Sequence, residues 1–142
     1  MSDEQLTIGE LADRTGVATS ALRYWEEIGL LPAPARVSGQ RRYPPSAVEQ
    51  VGEILLLRDA GYTLRELTTF VAALSRADDS WRELAHRKLT ELDQRIAKAQ
   101  TARTLLTHAL ACRHDNIREC PNGARVRAAR LAGASIEEAH RH

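Results

Sequence analysis

The chain has few of the residues that build a membrane anchor, a disulfide framework or an aromatic core. Its 142 residues include two cysteines, one methionine, one phenylalanine, three tyrosines and two tryptophans. No apolar run reaches the ~18 residues that a membrane span needs. The opening MSDEQLTIGE lacks the basic and apolar regions of a signal peptide. The expected location is therefore the cytoplasm, with no membrane partner. In that reducing compartment two cysteines read as metal ligands or redox-active thiols sooner than as a structural bridge. A surplus of one charge sign is also missing. The formal net charge is +1, and Met1 to Pro45 carries five arginines against six acidic residues. Bulk charge thus announces no nucleic-acid partner, and any such function has to come from arrangement. From position 47 onward Ala, Leu, Glu and Arg dominate, which predicts a mainly all-α chain with very little strand.

Arrangement is what Thr7 to Pro32, TIGELADRTGVATSALRYWEEIGLLP, supplies. Ile8, Leu11 and Ala12 share one face of a first short helix, and Leu22, Trp25 and Ile28 share one face of a second. Gly16 between them suits a left-handed stop, and Thr19 or Ser20 is placed to cap the second helix. This is helix-turn-helix spacing. With Leu22 and Trp25 turned into a core, Ser20, Arg23, Tyr24 and Glu27 face outward, a hydroxyl, a guanidinium and a phenol suited to phosphates and base edges. The following segment, Pro32 to Tyr43, carries Arg36, Arg41 and Arg42 and no acid. Its prolines keep the approach extended, and Ser38-Gly39 makes a turn between two short arms, as in the wing of a winged helix. The candidate DNA-binding set is Ser20, Arg23, Tyr24, Arg36, Arg41, Arg42 and Tyr43.

Pro44-Pro45-Ser46 opens a third helix with apolar positions at Val48, Val51, Ile54, Leu55 and Leu57, ended by Gly61. Thr63 and Glu66 form a capping box for a fourth, with Leu64, Leu67, Val71 and Leu74 at helical spacing. Ala77-Asp78-Asp79-Ser80 interrupts the pattern. From Trp81 to Ala111 glycine and proline are absent. Ala85, Leu89, Leu92, Ile96, Ala99, Arg103, Leu106 and Leu110 follow by alternating steps of four and three, a heptad seam with one cationic defect. Such a helix spans ~45 Å and needs a partner for its stripe; a second copy of the chain is the expected one, with Ala85, Leu89, Leu92, Ile96, Ala99, Leu106 and Leu110 as dimerisation residues. Glu83 with Arg87 and Glu91 with Arg95 are favourable pairs one turn apart on its solvated sides. Past the helix, Cys112 and Cys120 bracket a loop containing His114, Asp115 and Glu119. The tail, residues 124–142, is Ala- and Arg-rich with a short helix near Glu137-Glu138. It reads as a partly frayed amphipathic segment, whose His140 and His142 would bind metal only adventitiously.

The run IGELADRTGVATSALRYWEEIGLL followed by GQRRY resembles the DNA-binding domain of MerR-type bacterial transcription regulators. The order of parts matches over about residues 6–121. The resemblance implies four segments: a winged helix-turn-helix DNA-binding domain with a second helix pair over 1–76, a coiled-coil dimerisation helix over 77–111, an effector loop over 112–123 and a tail over 124–142. It implies further that the long helices join as an antiparallel coiled coil, and that the dimer sits on double-stranded promoter DNA and distorts it so that RNA polymerase can engage. In the metal-sensing branches the effector loop starts where the coiled-coil helix ends, and the copper-sensing branch is similar in having two cysteines at this spacing. A metal ion held by Cys112 and Cys120, with His114 as third ligand, is the resulting expectation. An oxygen from the partner's Asp78 or Asp79 would stand where divalent sensors usually have a further cysteine.

Zinc is slightly preferred because His114 and Asp115 suit a borderline ion; copper(I) fits the cysteine spacing but favours an apolar, sealed loop, whereas Arg113, His114, Asp115, Arg118 and Glu119 make this one polar. The four-cysteine iron–sulfur branch is excluded by cysteine count. The alternative function is the same DNA-binding dimer answering an oxidant, an electrophile or an organic ligand. A thiol enzyme using Cys112 and His114 would need an oxyanion hole and a substrate pocket that nothing in the sequence suggests, so the chain reads as a regulator and not as an enzyme. The effector, the target promoter and the sign of regulation are not encoded in these motifs.

Overall fold

A computed structural model describes residues 4–141 of the chain. Helices α1 (Ile8–Thr15) and α2 (Thr19–Glu27) lead into a hairpin of β1 (Ala35–Val37) and β2 (Gln40–Arg42). Then follow α3 (Ser46–Asp59), α4 (Leu64–Ser75), the long α5 (Ser80–Ala111), a single 3-10 turn (Ile117–Glu119), α6 (Pro121–Leu131) and α7 (Ile136–His140). Two compact units divide within α5, between Leu84 and Ala85. Among the described residues no helix is long and apolar enough to cross a membrane.

In the N-terminal unit each element begins or ends where side-chain chemistry dictates. Thr7 accepts from the Glu10 N–H while Glu10 accepts from the Thr7 N–H, a capping box that starts α1. The backbone hydrogen bond into Glu10 is the larger part of what holds its carboxyl below the usual range. Gly16, at φ 74°, closes α1 by donating to the Ala12 carbonyl. The expected cap of α2 by Thr19 or Ser20 does not form. Ala18 is its N-cap and makes no side-chain bond, because Thr19 already lies in the helix's first turn. Thr63 and Glu66 do form the reciprocal box that starts α4. Pro44 and Pro45 carbonyls accept from Ala47 and Val48, which sets the first turn of α3 at Ser46.

Leu11 of α1, Leu22 and Trp25 of α2, Val51 and Ile54 of α3 and Leu67 of α4 are buried in one core, with Leu6, Leu30, Leu31, Tyr43 and Ala47. Leu6 pairs with Tyr43 in an antiparallel bridge, N–H to carbonyl at 2.7 and 2.8 Å, which ties the hairpin's outgoing strand to the chain before α1. The hairpin pairs Arg36 with Arg41, and its two-residue turn has positive φ at both Ser38 (53°) and Gly39 (80°). That is the turn whose twist matches a right-handed hairpin. Phe70 and Ala73 of α4 are buried too. The Phe70 ring meets those of Tyr62 at 5.1 Å and Trp81 at 6.4 Å, and the Tyr62 hydroxyl donates to the Leu84 carbonyl. These contacts carry the first turn of α5 into the N-terminal unit.

In the C-terminal unit, α5 runs unbroken to Ala111 and the chain turns back through the 3-10 turn into α6 and α7. The tail is helical rather than frayed. Pro121 provides the first residue of α6, where its missing N–H costs nothing, so residues 121–123, expected in the effector loop, belong to this helix. Ser135 and Glu138 cap α7 reciprocally. The run of alanines and arginines that opens the tail belongs to α6, whose start is set by Pro121 rather than by a side-chain cap.

Burial sets the first prediction. Leu22 is fully enclosed and lies one turn from Trp25, so Leu22→Ala should cost ~2–5 kcal/mol, the range for a buried leucine cavity. Denaturant unfolding followed by helical circular dichroism measures this, and a loss well under ~1 kcal/mol would contradict the packing.

Candidate nucleic-acid surface and thiol centre

Burial of Leu22 and Trp25 fixes which side of α2 meets solvent. Ser20, Arg23 and Tyr24 are exposed, Tyr24 to 49%. Arg36, in β1, is exposed and donates to the Gly39 carbonyl at 3.3 Å; Arg42, in β2, is half-buried and donates to Gln40 Oε1 at 3.2 Å. Arg23 lines a cleft of about 350 Å³ together with Thr7, Ile8, Gly39, Gln40 and Arg41. The cleft therefore brings together the N-terminal turn of α1, the outward face of α2 and the hairpin. Helix N-terminal N–H groups and guanidinium groups are the donors that phosphate oxygens accept from.

Two of the expected DNA contacts have other partners within the unit. Tyr43 is buried to 2% exposure, and its hydroxyl donates to Glu26 Oε2 at 3.1 Å. Burial first, then that hydrogen bond, pushes the phenol up to about 12, so the hydroxyl stays a donor across the neutral range. Tyr43, expected as a surface contact, is instead buried in the core beside the wing, its backbone bridged to Leu6 and its hydroxyl held by Glu26. Arg41 Nε donates to the same carboxylate oxygen at 3.0 Å. Its side chain is half-buried, with an edge on the cleft. Glu26, unremarked in the sequence pattern, thus joins the wing to α2 through two side chains.

At the other end of α5 the cysteines come together. Cys112 follows the helix directly, and Cys120 sits as N-cap of α6. Cys112 Sγ and His114 Nδ1 lie 3.1 Å apart, and the ligand atoms of Cys112, His114 and Cys120 all fall within 4.8 Å of one another. Tetrahedral zinc bonds of about 2.3 Å to sulfur and 2.0–2.1 Å to nitrogen set these atoms roughly 3.5–3.8 Å apart, so the Cys112–His114 pair would widen slightly and the longest separation would close by about an ångström. The donor set, two thiols and an imidazole, fits a borderline or soft ion. Backbone N–H groups of Gly123 and Asn122 hold the Cys120 thiol below its ordinary value, helped by the neighbouring Cys112 and Arg127. Arg127 also donates to the Arg118 carbonyl at 3.0 Å, which fixes the return of the chain beside Cys120.

The loop's polarity stays on the solvent side. Arg113, Asp115, Arg118 and Glu119 are exposed, whereas both cysteines line a cavity of about 250 Å³ with Leu105, Ala109, Ile117 and Val126. His108, Asn122, Arg127 and His140 line the same cavity, so the loop's own charges face solvent while the polar groups beside the sulfurs come from α5, α6 and α7. Asp78 and Asp79 are held locally. Asp78 accepts from the Ser80 N–H and hydroxyl, which lowers its carboxyl, and Asp79 pairs with Arg82 at 3.3 Å. Missed altogether in the sequence were His108, one turn before Cys112, and Arg127. The i, i+4 step from His108 to Cys112 was the available signal. His142 lies outside the described residues.

The Cys120 environment generates a second prediction. Because hydrogen-bond donors stabilise its thiolate, the alkylation rate of Cys120 should inflect at a lower pH than that of an unstructured cysteine peptide. Mass spectrometry of the metal-free protein after timed iodoacetamide pulses reads this. An inflection at or above the peptide's would remove the assignment.

Comparison with known proteins identifies the family and the fold. Residues 6–74 match the family described as "MerR HTH family regulatory protein", and residues 48–109 match "MerR, DNA binding". The chain is 31% identical over 120 residues to the HTH-type transcriptional regulator HmrR of Rhizobium leguminosarum bv. viciae, covering 82% of this chain and 93% of that protein. It is 30% identical over 121 residues to the heavy metal-dependent transcription regulator 2 of Rhizobium meliloti, covering 82% of each. The crystal structure of HiNmlR, a MerR family regulator lacking the sensor domain and bound to promoter DNA, shares the fold at a TM-score of 0.57 and 21% identity, over 94% of this chain and 98% of that one. Two family matches in sequence order and relatives covered along most of their length lead to one conclusion: this chain belongs to the MerR family of helix-turn-helix DNA-binding transcription regulators, and not to an enzyme family.

Proposed function

We propose that this protein is a cytoplasmic homodimer that binds double-stranded promoter DNA and changes transcription when a metal ion occupies Cys112, Cys120 and His114. The observation that carries the reading is the triad itself, two thiols and an imidazole within 4.8 Å of one another at the end of the long helix. The heavy-metal-dependent relative supports the same class of effector. The closeness of His114 to Cys112 favours zinc, while copper(I), satisfied by two thiolates, suits the aliphatic part of the cavity formed by Leu105, Ala109, Ile117 and Val126. An aspartate from the partner's Asp78-Asp79 pair is the weaker candidate for a further ligand. A second reading, a thiol switch or small electrophile sensor, draws on the lowered Cys120 thiol and the same cavity.

For DNA, Ser20, Arg23 and Tyr24 are the candidate contacts of the recognition helix, and Arg36, Arg41 and Arg42 those of the wing. Arg41 would divide its donors between Glu26 and a phosphate. For dimerisation, Ala85, Leu89, Leu92, Ile96, Ala99, Leu106 and Leu110 form the seam of an antiparallel coiled coil. Leu89, Ile96, Leu106 and Leu110 stand 54–89% exposed in the single chain, which is what a partner's stripe would cover. The effector would act by altering the shape of an over-long promoter spacer so that RNA polymerase engages both elements, a mechanism in which deformation energy of the DNA is the regulated quantity.

Three expectations test this. Arg41→Ala or Arg42→Ala should weaken promoter binding and reduce the salt slope by ~1 per lost phosphate contact, and Arg23→Ala should also relax sequence preference; unchanged binding in all three would refute the surface. Leu92→Asp should lower dimer and DNA affinity together, since a buried unpaired carboxylate costs several kcal/mol; a monomeric wild type at micromolar concentration in sedimentation would refute the seam. Cys112→Ser or Cys120→Ser should abolish the transcriptional response and spare DNA binding, and His114→Ala should weaken a zinc response strongly while leaving a copper(I) response nearly intact. A double Cys→Ser protein that still switched with the natural effector would overturn the sensor assignment.

A further inference from the structure

Outside the thiol triad, a second pair of ligating side chains meets in the C-terminal unit. His140 Nε2 lies 3.0 Å from His108 Nδ1, across 32 residues of sequence, with the two rings tilted by 32° and their centroids 4.8 Å apart. Both imidazoles line the cavity that holds Cys112 and Cys120. His140 is not on a loose end: it is the last residue of α7, whose start is fixed by the Ser135–Glu138 capping box and whose Ala139 is 1% exposed. His108 sits in the last turn of α5, where helix carbonyls favour a cation.

We propose that His108 and His140 form a second cation position, a two-imidazole site for a borderline divalent ion such as zinc, separate from the thiol triad. Without an ion, one facing ring nitrogen donates its proton to the other's lone pair. With an ion, both facing nitrogens present lone pairs to it. The ring that had donated carries its proton on the outer nitrogen instead, so neither ring need change charge. Two zinc–nitrogen bonds of about 2.0–2.1 Å at a tetrahedral angle set the nitrogens about 3.3 Å apart, a few tenths more than the pair now shows. Water completes the coordination, and an all-imidazole donor set suits borderline divalent ions, whereas the thiolates of the triad also suit soft copper(I). The site shares no ligand with the triad, and its occupancy fastens α7 to the end of α5. The tail thereby becomes part of the metal chemistry rather than an appendage to it.

The test uses the full chain carrying Cys112→Ser, Cys120→Ser and His142→Ala, titrated with zinc alone against a competing chromophoric chelator. This protein should bind one equivalent. Adding His140→Gln, or separately His108→Gln, should weaken that binding by more than the roughly 10- to 100-fold that loss of an outer hydrogen-bond partner costs. Circular dichroism confirms that each variant remains helical, and a nitrogen-detected histidine spectrum should show both facing nitrogens shifting on zinc addition. If the triple variant binds no zinc, or if binding survives both glutamine substitutions, the site is overturned. Metal at the thiol triad is measured independently, because thiolate-to-cobalt absorption in the wild type reports Cys112 and Cys120 whatever the histidines do.

Discussion

Burial of Leu22 and Trp25 is the constraint on which the outward face of α2 and the placement of the hairpin depend. Both lie on one face of α2 and are essentially without solvent contact, and with a helical repeat of 3.6 residues the neighbours Arg23 and Tyr24 have no choice but to face out. Glu26, one position beyond Trp25, is left at the edge of that core. There it accepts from Tyr43 and Arg41. The hairpin is consequently fastened to α2 at two points, through a buried phenol and a half-buried guanidinium, and to the chain before α1 by the Leu6–Tyr43 bridge. A wing so short that each strand has three residues could not hold its position alone, since isolated hairpins are marginal in water. Its placement comes from the core.

The elements that the sequence made legible are those whose signal is periodic. The α2 face, the α4 capping box and the 32-residue α5 could all be read because burial at steps of three and four, or a Thr-x-x-Glu pair, is written locally. What could not be read depends on partners distant in sequence. Tyr43 reads as one more polar aromatic beside two arginines, and its burial goes with partners distant in sequence, a backbone bridge to Leu6, 37 positions earlier, and a hydroxyl bond to Glu26. Thr19 and Ser20 are ordinary capping residues, yet the helix starts one residue before either could cap it, and local propensity was overridden by the turn from Gly16. The tail's composition suited either a loose end or a helix, and what decided for the helix was Pro121 at the first position of α6 and Ser135 before α7.

The thiol centre shows a similar division between what a sequence spells and what a cavity contains. Four charged residues between the cysteines suggested a polar ligand environment. All four are exposed, while Leu105, Ile117 and Val126, from three separate segments, face the sulfurs' cavity. A loop has two sides, and composition averages over them. The hydrogen bonds that lower the Cys120 thiol come from the N–H groups of Asn122 and Gly123 at the start of α6, donors that every helix N-terminus leaves unsatisfied. Their value here depends on where the helix begins, and Pro121 sets that point. His114 likewise owes its nearness to Cys112 to the non-helical residues that follow Ala111, since two positions apart on a continued helix would have placed them on different faces.

The long helix poses the remaining energetic question. Leu89, Ile96, Leu106 and Leu110 are more than half exposed along one stripe, and covering a leucine or isoleucine side chain is worth ~1.5–3 kcal/mol. Leaving four of them in water forgoes several kcal/mol, a sum comparable with the net stability of a domain of this size. Off the stripe, Arg95 pairs with Glu91 one turn away, a solvated pair that adds only tenths of a kcal/mol, while the buried Lys88 ammonium is held by the same Glu91. Such pairs steady the helix itself and offer nothing to the stripe. Arg103 interrupts the stripe and is exposed. In a seam pairing two copies, a single guanidinium among aliphatic side chains is tolerated where its stem lies along the groove and its head reaches water or a carboxylate. Any register that buries it unpaired is penalised by several kcal/mol. The residue that weakens the stripe is therefore also the one that discriminates among ways of covering it.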